Sequence, residues 1–131
     1  MESKEFIDGL KRDKARGNLA PHQIILLISL LNLYKENESD TFDILSLTNE
    51  FQKIWNDYQY KFKTINNNIG LPLKAFNNRG YIELGVKDTI NDFRNNLELM
   101  SKISSLKIDN VLIQLFKNED IRNYFIHRIS K

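Results

Sequence analysis

The longest apolar stretch of the chain lies between residues 24 and 33, where one serine and one asparagine are the only interruptions. Apolar side chains around most of a helix are typical of a helix that is buried on all sides. Pro21 precedes this stretch, and proline is tolerated at the first helical position because its missing N–H has no partner there. The pattern therefore predicts a central buried helix from about Pro21 to Tyr34, ended by the polar segment KENESD.

Shorter elements are predicted on either side of this helix. Residues 3–12 have the apolar spacing of a short amphipathic helix, and residues 13–20 are a polar loop. Residues 41–45, TFDIL, form a short strand or an extended lead-in. Thr48 is the predicted N-cap of a helix over residues 49–56. That helix should bury Phe51, Ile54 and Trp55.

The second half of the chain alternates turns with short elements. A short helix is predicted over about residues 70–77, and the turn NNRG then leads to a strand or short hairpin near 81–84. The polar residues 85–96 indicate no element. In the tail, Glu119 and Asp120 are placed in the first turn of the last helix, where acidic side chains are favoured. The predicted tail helices cover about 97–105, 109–117 and 119–129.

These elements predict a mainly α fold: a compact, winged-helix-like helical domain with a short antiparallel β element. A chain of 131 residues fits one domain, residues 1–131, with a sizeable core. Cysteine is absent, which excludes disulfides, a thiolate zinc site and a cysteine nucleophile, and fits a reducing cytoplasm. No apolar run approaches the ~20 residues of a membrane span. We therefore expect a cytoplasmic protein with no membrane partner.

The chain shows no pattern of an enzyme or a metal site. His22 and His127 are its only histidines, they are far apart, and neither belongs to a metal-binding spacing. The nucleophile-elbow and phosphate-loop motifs are missing, and carboxylates are not paired within apolar stretches. We expect neither catalytic activity nor a cofactor.

Net charge is only +2, so the distribution of basic residues says more than their number. Three basic clusters stand near turns or helix ends. Clusters of this size are usually solvated surface, but three of them could form one strip that faces phosphates. They are KRDKAR at 11–16, YQYKFKT at 58–64 and NNRGY at 77–81, the last containing Arg79.

Each of the two prolines opens a predicted helix. At the first, His22 and Gln23 fall in the first turn, where free backbone N–H groups and the helix dipole favour an anion. Both side chains can donate to a phosphate, and Lys14 and Arg16 lie just upstream. The alternative is that Pro21 starts a core helix that His22 merely covers.

The second proline has a different setting, small and apolar. Gly70 permits close approach of another backbone, and Ala75 stands one turn after Leu71. Together with Pro72 these residues could line a shallow apolar pocket. The alternative is the buried face of a short helix.

Three blocks of the sequence, in this order, resemble the sulfur-binding domain of McrA-like type IV restriction endonucleases. The resemblance covers roughly residues 15–130, and related domains precede HNH nuclease domains in many bacterial proteins. The blocks are NLAPHQIILLISLLNLY, NIGLPLKAFNNRGYIEL and KIDNVLIQLFKNEDIRNYFIHRI.

The resemblance implies a mostly helical fold that binds double-stranded DNA in its phosphorothioate-modified form, where sulfur replaces one backbone oxygen. It implies a phosphate at the start of the central helix, at His22 and Gln23, with Lys14 and Arg16 as upstream contacts. The sulfur would enter a pocket of Leu71, Pro72 and Ala75 beside Gly70. Glutamine stands where the family has a basic residue, and Leu71 stands where it has an aromatic one.

This resemblance suggests why a buried helix opens with Pro-His-Gln: a DNA phosphate, rather than protein, would cover its first turn. An apolar pocket favours sulfur because oxygen must shed more tightly held water to enter it. Two other functions stay open, namely a winged-helix-like DNA-binding regulator without sulfur preference and a protein-interaction module. Any nuclease domain or effector would be a partner outside this chain.

Overall fold

The computed structural model describes residues 14–15, 18–19, 21–61 and 67–129. The helix predicted over residues 3–12 lies outside these ranges, as does Arg16. Within the segment predicted as a polar loop, the two-residue strands β1 (Lys14–Ala15) and β2 (Asn18–Leu19) pair antiparallel. The loop prediction for residues 13–20 was therefore wrong at these positions.

The central helix α1 (His22–Asn37) confirms the prediction made from the apolar run. Its residues from Ile24 to Leu31 are all buried, as is Leu33. The buried hydroxyl of Ser29 donates to the carbonyl of Ile25 at 2.8 Å, which satisfies the one polar side chain in this stretch. The helix ends three residues beyond Tyr34, since its last turn closes at Glu38.

The second helix, α2 (Ile44–Tyr58), begins earlier than predicted and is followed by a 3₁₀ turn at Gln59–Lys61. Strand β3 (Thr41–Phe42) leads directly into Asp43, whose carboxylate accepts the Ser46 N–H at 2.6 Å. Asp43 is therefore the N-cap, and the prediction of Thr48 was wrong. Thr48 lies inside the helix, where its hydroxyl donates to the carbonyl of Ile44. The predicted buried residues Phe51, Ile54 and Trp55 are confirmed.

Changing Asp43 to alanine should lower the free energy of unfolding by about 1 kcal/mol, the usual cost of losing an N-cap. Asp43→Asn is the matched control, since its amide oxygen can still accept the Ser46 N–H. That hydrogen bond holds the pKa of Asp43 below its usual 3.8. Its charge-linked stabilisation is present above pH 3.8 and is lost as pH falls through the lowered pKa. Urea unfolding at pH 7 measures the loss of the cap, and unfolding at pH 3 measures the charge-linked stabilisation. Equal stability of the alanine and asparagine variants at pH 7 would contradict the assignment of Asp43 as the cap.

The second half of the chain contains α3 (Gly70–Asn78), β4 (Ile82–Val86), α4 (Asn96–Lys102) and β5 (Ile103–Ile108). The helix and strand predicted at 70–77 and 81–84 are thus confirmed. Strand β4 does not form a tight hairpin, however. It pairs antiparallel with β5, and Glu83 lies opposite Lys107. The helix predicted over 97–105 stops at Lys102, because Ile103, Leu106 and Ile108 are buried from a strand.

The tail folds into α5 (Asn110–Phe116) and α6 (Ile121–Ile129), close to the predicted helices. Glu119 and Asp120 precede α6 and do not occupy its first turn, so that assignment was wrong. Asn118 accepts the N–H of Asp120 at 3.0 Å, which makes a turn before the helix starts.

The sheet has the order β3-β5-β4, with β5 central and antiparallel to both neighbours. From α1 to β5 the chain runs helix, strand, two helices, strand, the short helix α4 and a final strand that inserts between the other two strands. Apart from α4, this is the order of elements in a winged helix. Residues 87–102, including α4, take the place of the wing. The mainly helical fold class with a small antiparallel element is confirmed.

Helix α1 is the centre of the core and packs against α2, α3 and α6. In the ranges that the structure describes, every helix is too short or too polar to cross a membrane. The contact between α1 and α3 brings together the two helices that carry the predicted site.

Candidate nucleic-acid interface

The start of α1 leaves backbone amides unpaired within the helix. Pro21 is the N-cap and has no side-chain hydrogen bond to offer, and the first helical bond runs from the N–H of Ile25 to the carbonyl of Pro21 at 3.0 Å. The amides of Gln23 and Ile24 therefore have no carbonyl one turn before them in the helix. No acidic side chain occupies this first turn. An anion suits such a helix start better than a cation does.

The side chains of His22 and Gln23 are half-buried at this helix start. The His22 ring contacts the ring of buried Trp55 on α2, with centroids 5.0 Å apart. Gln23 turns Oε1 inward, and this oxygen is buried without a hydrogen-bond partner among the described residues. The Gln23 side chain can donate to a phosphate through Nε2, since an amide oxygen only accepts hydrogen bonds.

The start of α3 is closed in comparison. Asn68 accepts the N–H of Gly70 at 2.8 Å, Pro72 has no N–H, and Leu73 donates to the carbonyl of Ile69 at 3.1 Å. Among the first-turn residues, only Leu71 has an N–H that these contacts do not account for. The start of α3 therefore presents fewer backbone N–H groups to an anion than the start of α1 does.

Close approach to Gly70 does occur, but the approaching group belongs to this chain. A Cβ at position 70 would lie 1.5 Å from the carbonyl oxygen of Phe93. Gly70 and Pro72 are both buried, so neither presents much surface to a ligand. Leu71 is 48% exposed and Ala75 is half-buried. Of the predicted sulfur pocket, these two side chains are the parts that a DNA backbone could reach.

One side of α3 faces solvent along its length. Its exposed residues recur every three or four positions, which places them on one surface of the helix. We call this surface the α3 face; it consists of Leu71, Lys74, Asn77 and Asn78.

The segment of residues 87–95, which we call the arch, packs beside the start of α3. The side chain of Asn68 donates to the carbonyl of Arg94, and Lys74 places Nζ 5.7 Å from the ring centroid of Phe93. The arch is thereby fixed to the same helix that carries the α3 face.

The arch is also clamped from α4. Glu98 accepts the N–H groups of Asn91 and Asp92 at 2.7 and 2.9 Å, and its carboxylate pairs with Nζ of Lys102 at 2.6 Å. Lys102 also donates to the carbonyl of Thr89 at 2.7 Å. The Lys102 hydrogen bond, followed by the two amide bonds, lowers the pKa of Glu98 from 4.5 to about 2. The clamp thus stabilises the fold above pH 4.5 and loses that contribution only as pH falls through about 2.

Charge is distributed unevenly along the chain. Residues 14–35 and 58–82 contain no carboxylate, and these two stretches hold the starts of α1 and α3. Elsewhere, Asp40, Glu83 and Asp109 line a cavity of about 540 Å³ beside β4 and the start of α5. With three carboxylates against the one lysine Lys107, this cavity is unfavourable for a polyanion, whereas the two acid-free stretches carry only basic charges.

The predicted phosphate contacts are placed unequally. Lys14 belongs to β1, and only its backbone is described. Arg79 is exposed at the end of α3, next to Gly80, which lines the acidic cavity. The structure therefore brings His22 and Gln23 onto one helix, and Leu71 and Ala75 onto a second helix that packs against it.

Sequence reasoning missed several residues of the candidate site. Lys74 had a usable signal, because it stands three positions after Leu71 in a helix and so shares its surface. Phe93 and Glu98 had none, since they act through contacts between segments distant in sequence.

The described residues contain no group of three or more His, Asp or Glu side chains that could hold a metal ion. No model of a known protein family matches the chain, and no curated protein matches it either.

Proposed function

We propose that this protein is a DNA-recognition domain that binds a phosphorothioate in the DNA backbone. The observation that carries the proposal is the difference between the two helix starts. Helix α1 offers amides without helical partners and no acid in its first turn, whereas α3 has a closed start and an exposed apolar Leu71.

A phosphorothioate needs both of these chemistries side by side. Its remaining oxygens carry negative charge and accept hydrogen bonds, which suits the start of α1 with His22 and Nε2 of Gln23. Its sulfur is larger and less hydrated than oxygen, so contact with Leu71 and Ala75 costs little desolvation. The packing of α1 on α3 and the lack of carboxylates in both stretches support this assignment.

A second candidate is a DNA-binding domain that reads the duplex without regard to sulfur. The winged-helix order of elements favours it, because α3 then takes the place of the helix that enters the major groove. Lys74, Asn77 and Asn78 would contact phosphates or base edges from the α3 face.

Salt dependence tests DNA binding, because each phosphate contact releases counterions. Lys74→Ala should flatten the slope of log affinity against log salt by about one unit and weaken binding to all duplexes alike. Lys117→Ala is the matched control, since Lys117 is an exposed lysine near the acidic turn before α6. Fluorescence anisotropy at several salt concentrations measures the slopes. Equal slopes for the native protein and Lys74→Ala would remove Lys74 from the interface.

A further inference from the structure

A groove of about 400 Å³ lies between the end of α3, strand β4 and the arch. Half of its lining residues are apolar, and Val86 on one wall is 51% exposed. We call it the apolar groove; its apolar lining residues are Leu84, Val86, Ile90 and Phe93.

The polar groups at the apolar groove have fixed orientations. The N–H of Leu84 donates to Oδ1 of Asn77 at 3.2 Å, which leaves Nδ2 as the donor that Asn77 offers. Asp88, which also lines the groove, accepts the N–H of Thr89 through one oxygen at 2.7 Å, so its other oxygen can accept from a ligand. The groove therefore combines apolar surface with an oriented donor at Asn77 and an acceptor at Asp88.

Cationic groups stand beside this lining. Lys87 lines the groove, and Lys74 reaches the Phe93 ring from the α3 face. A ligand that suits all of these features is planar and apolar on its faces, has donors and acceptors at its edge, and is attached to a phosphate. A nucleotide has this chemistry.

We propose that the apolar groove receives an extrahelical nucleobase of the DNA that binds at the α3 face. This inference rests on the proposed DNA binding but not on sulfur recognition. Because Asn77 belongs to both the α3 face and the groove, a duplex on α3 brings its bases close to the groove mouth. The base would stack on Phe93 and place its polar edge toward Asn77 and Asp88, as in other proteins that bind bases outside the stack.

The test compares two duplexes of the same sequence, one fully paired and one with a single extra, unpaired adenine. Extrusion of a paired base costs unstacking energy, whereas an unpaired base is already available. The native protein should bind the bulged duplex about tenfold more tightly than the paired one, as measured by fluorescence anisotropy at one salt concentration.

Two variants separate base capture from a mere preference for bendable DNA. Phe93→Leu keeps an apolar side chain but removes the stacking ring, and Val86→Glu places a carboxylate at the exposed wall. Both should reduce the affinity ratio of bulged to paired duplex to about one, with unchanged circular dichroism. Leu97→Glu is the matched control, because Leu97 is 83% exposed on α4 and does not line the groove.

The outcomes distinguish this inference from the proposed function. Equal binding of both duplexes by the native protein, with normal salt dependence, would overturn base capture and leave DNA binding intact. A tenfold ratio that persists in Phe93→Leu and Val86→Glu would overturn it as well, since bending alone would then explain the preference. Failure to bind any duplex would overturn both.

Discussion

Gly70→Ala should lower the free energy of unfolding by about 2 kcal/mol, which corresponds to a decrease in Tm of roughly 8 °C. The added Cβ would lie 1.5 Å from the Phe93 carbonyl oxygen, a distance that no relaxation of a single side chain can relieve. Either α3 or the arch must shift its backbone. Such overpacking costs about 1–3 kcal/mol or more, whereas alanine in a helix contributes at most about 1 kcal/mol relative to glycine. The clash therefore outweighs the gain in helix propensity.

Gly80→Ala is the matched control for this measurement. A Cβ at position 80 would meet nothing within 4 Å, and its cost comes only from the positive φ of 77°. About 1 kcal/mol is expected there. Thermal unfolding by circular dichroism compares the two variants with the native protein. If Gly70→Ala were as stable as the native protein, the arch would not pack on the start of α3.

The apolar pattern correctly predicted the elements whose own residues determine where they are buried. Helix α1 is apolar on all sides, so its position at the centre of the core follows from its own residues. The α3–β4 unit has a turn signal, NNRG, between two short apolar segments, and it also appears where predicted. For these elements local sequence and tertiary packing favour the same structure.

Other elements depend on partners that the local sequence does not identify. Strand β5, ISSLKI, lacks a clean alternation and becomes a strand because β3 and β4 flank it. Helix α2 is capped by Asp43 and not by the predicted Thr48, because Asp43 follows strand β3 in an extended conformation. In the candidate site, Leu71 could be identified from its motif, whereas the burial of Pro72 and the contact of Gly70 with Phe93 could not. Both of these depend on the position of the arch.

Leu71, the exposed apolar residue of α3, distinguishes the two candidate functions. Leu71→Glu should weaken binding to a phosphorothioate duplex by about 2–4 kcal/mol, because it removes an apolar contact with sulfur and brings a like charge to the phosphate. Leu71→Tyr should instead favour the modified duplex by up to about tenfold, since sulfur packs well against an aromatic ring. At 48% exposure, Leu71 can accept either change without disturbing the core.

The measurement is fluorescence anisotropy on two duplexes that differ in a single sulfur, at one stated salt concentration. Leu97→Glu again provides the control, because it adds the same charge at an exposed apolar position on α4. Charge alone would weaken both duplexes equally in either variant, so the informative quantity is the affinity ratio of modified to normal DNA. Sulfur recognition requires that this ratio exceed one in the native protein, fall toward one in Leu71→Glu and stay unchanged in Leu97→Glu. A native ratio of one would refute sulfur recognition, and the α3 face would then belong to a DNA-binding domain that does not distinguish sulfur from oxygen.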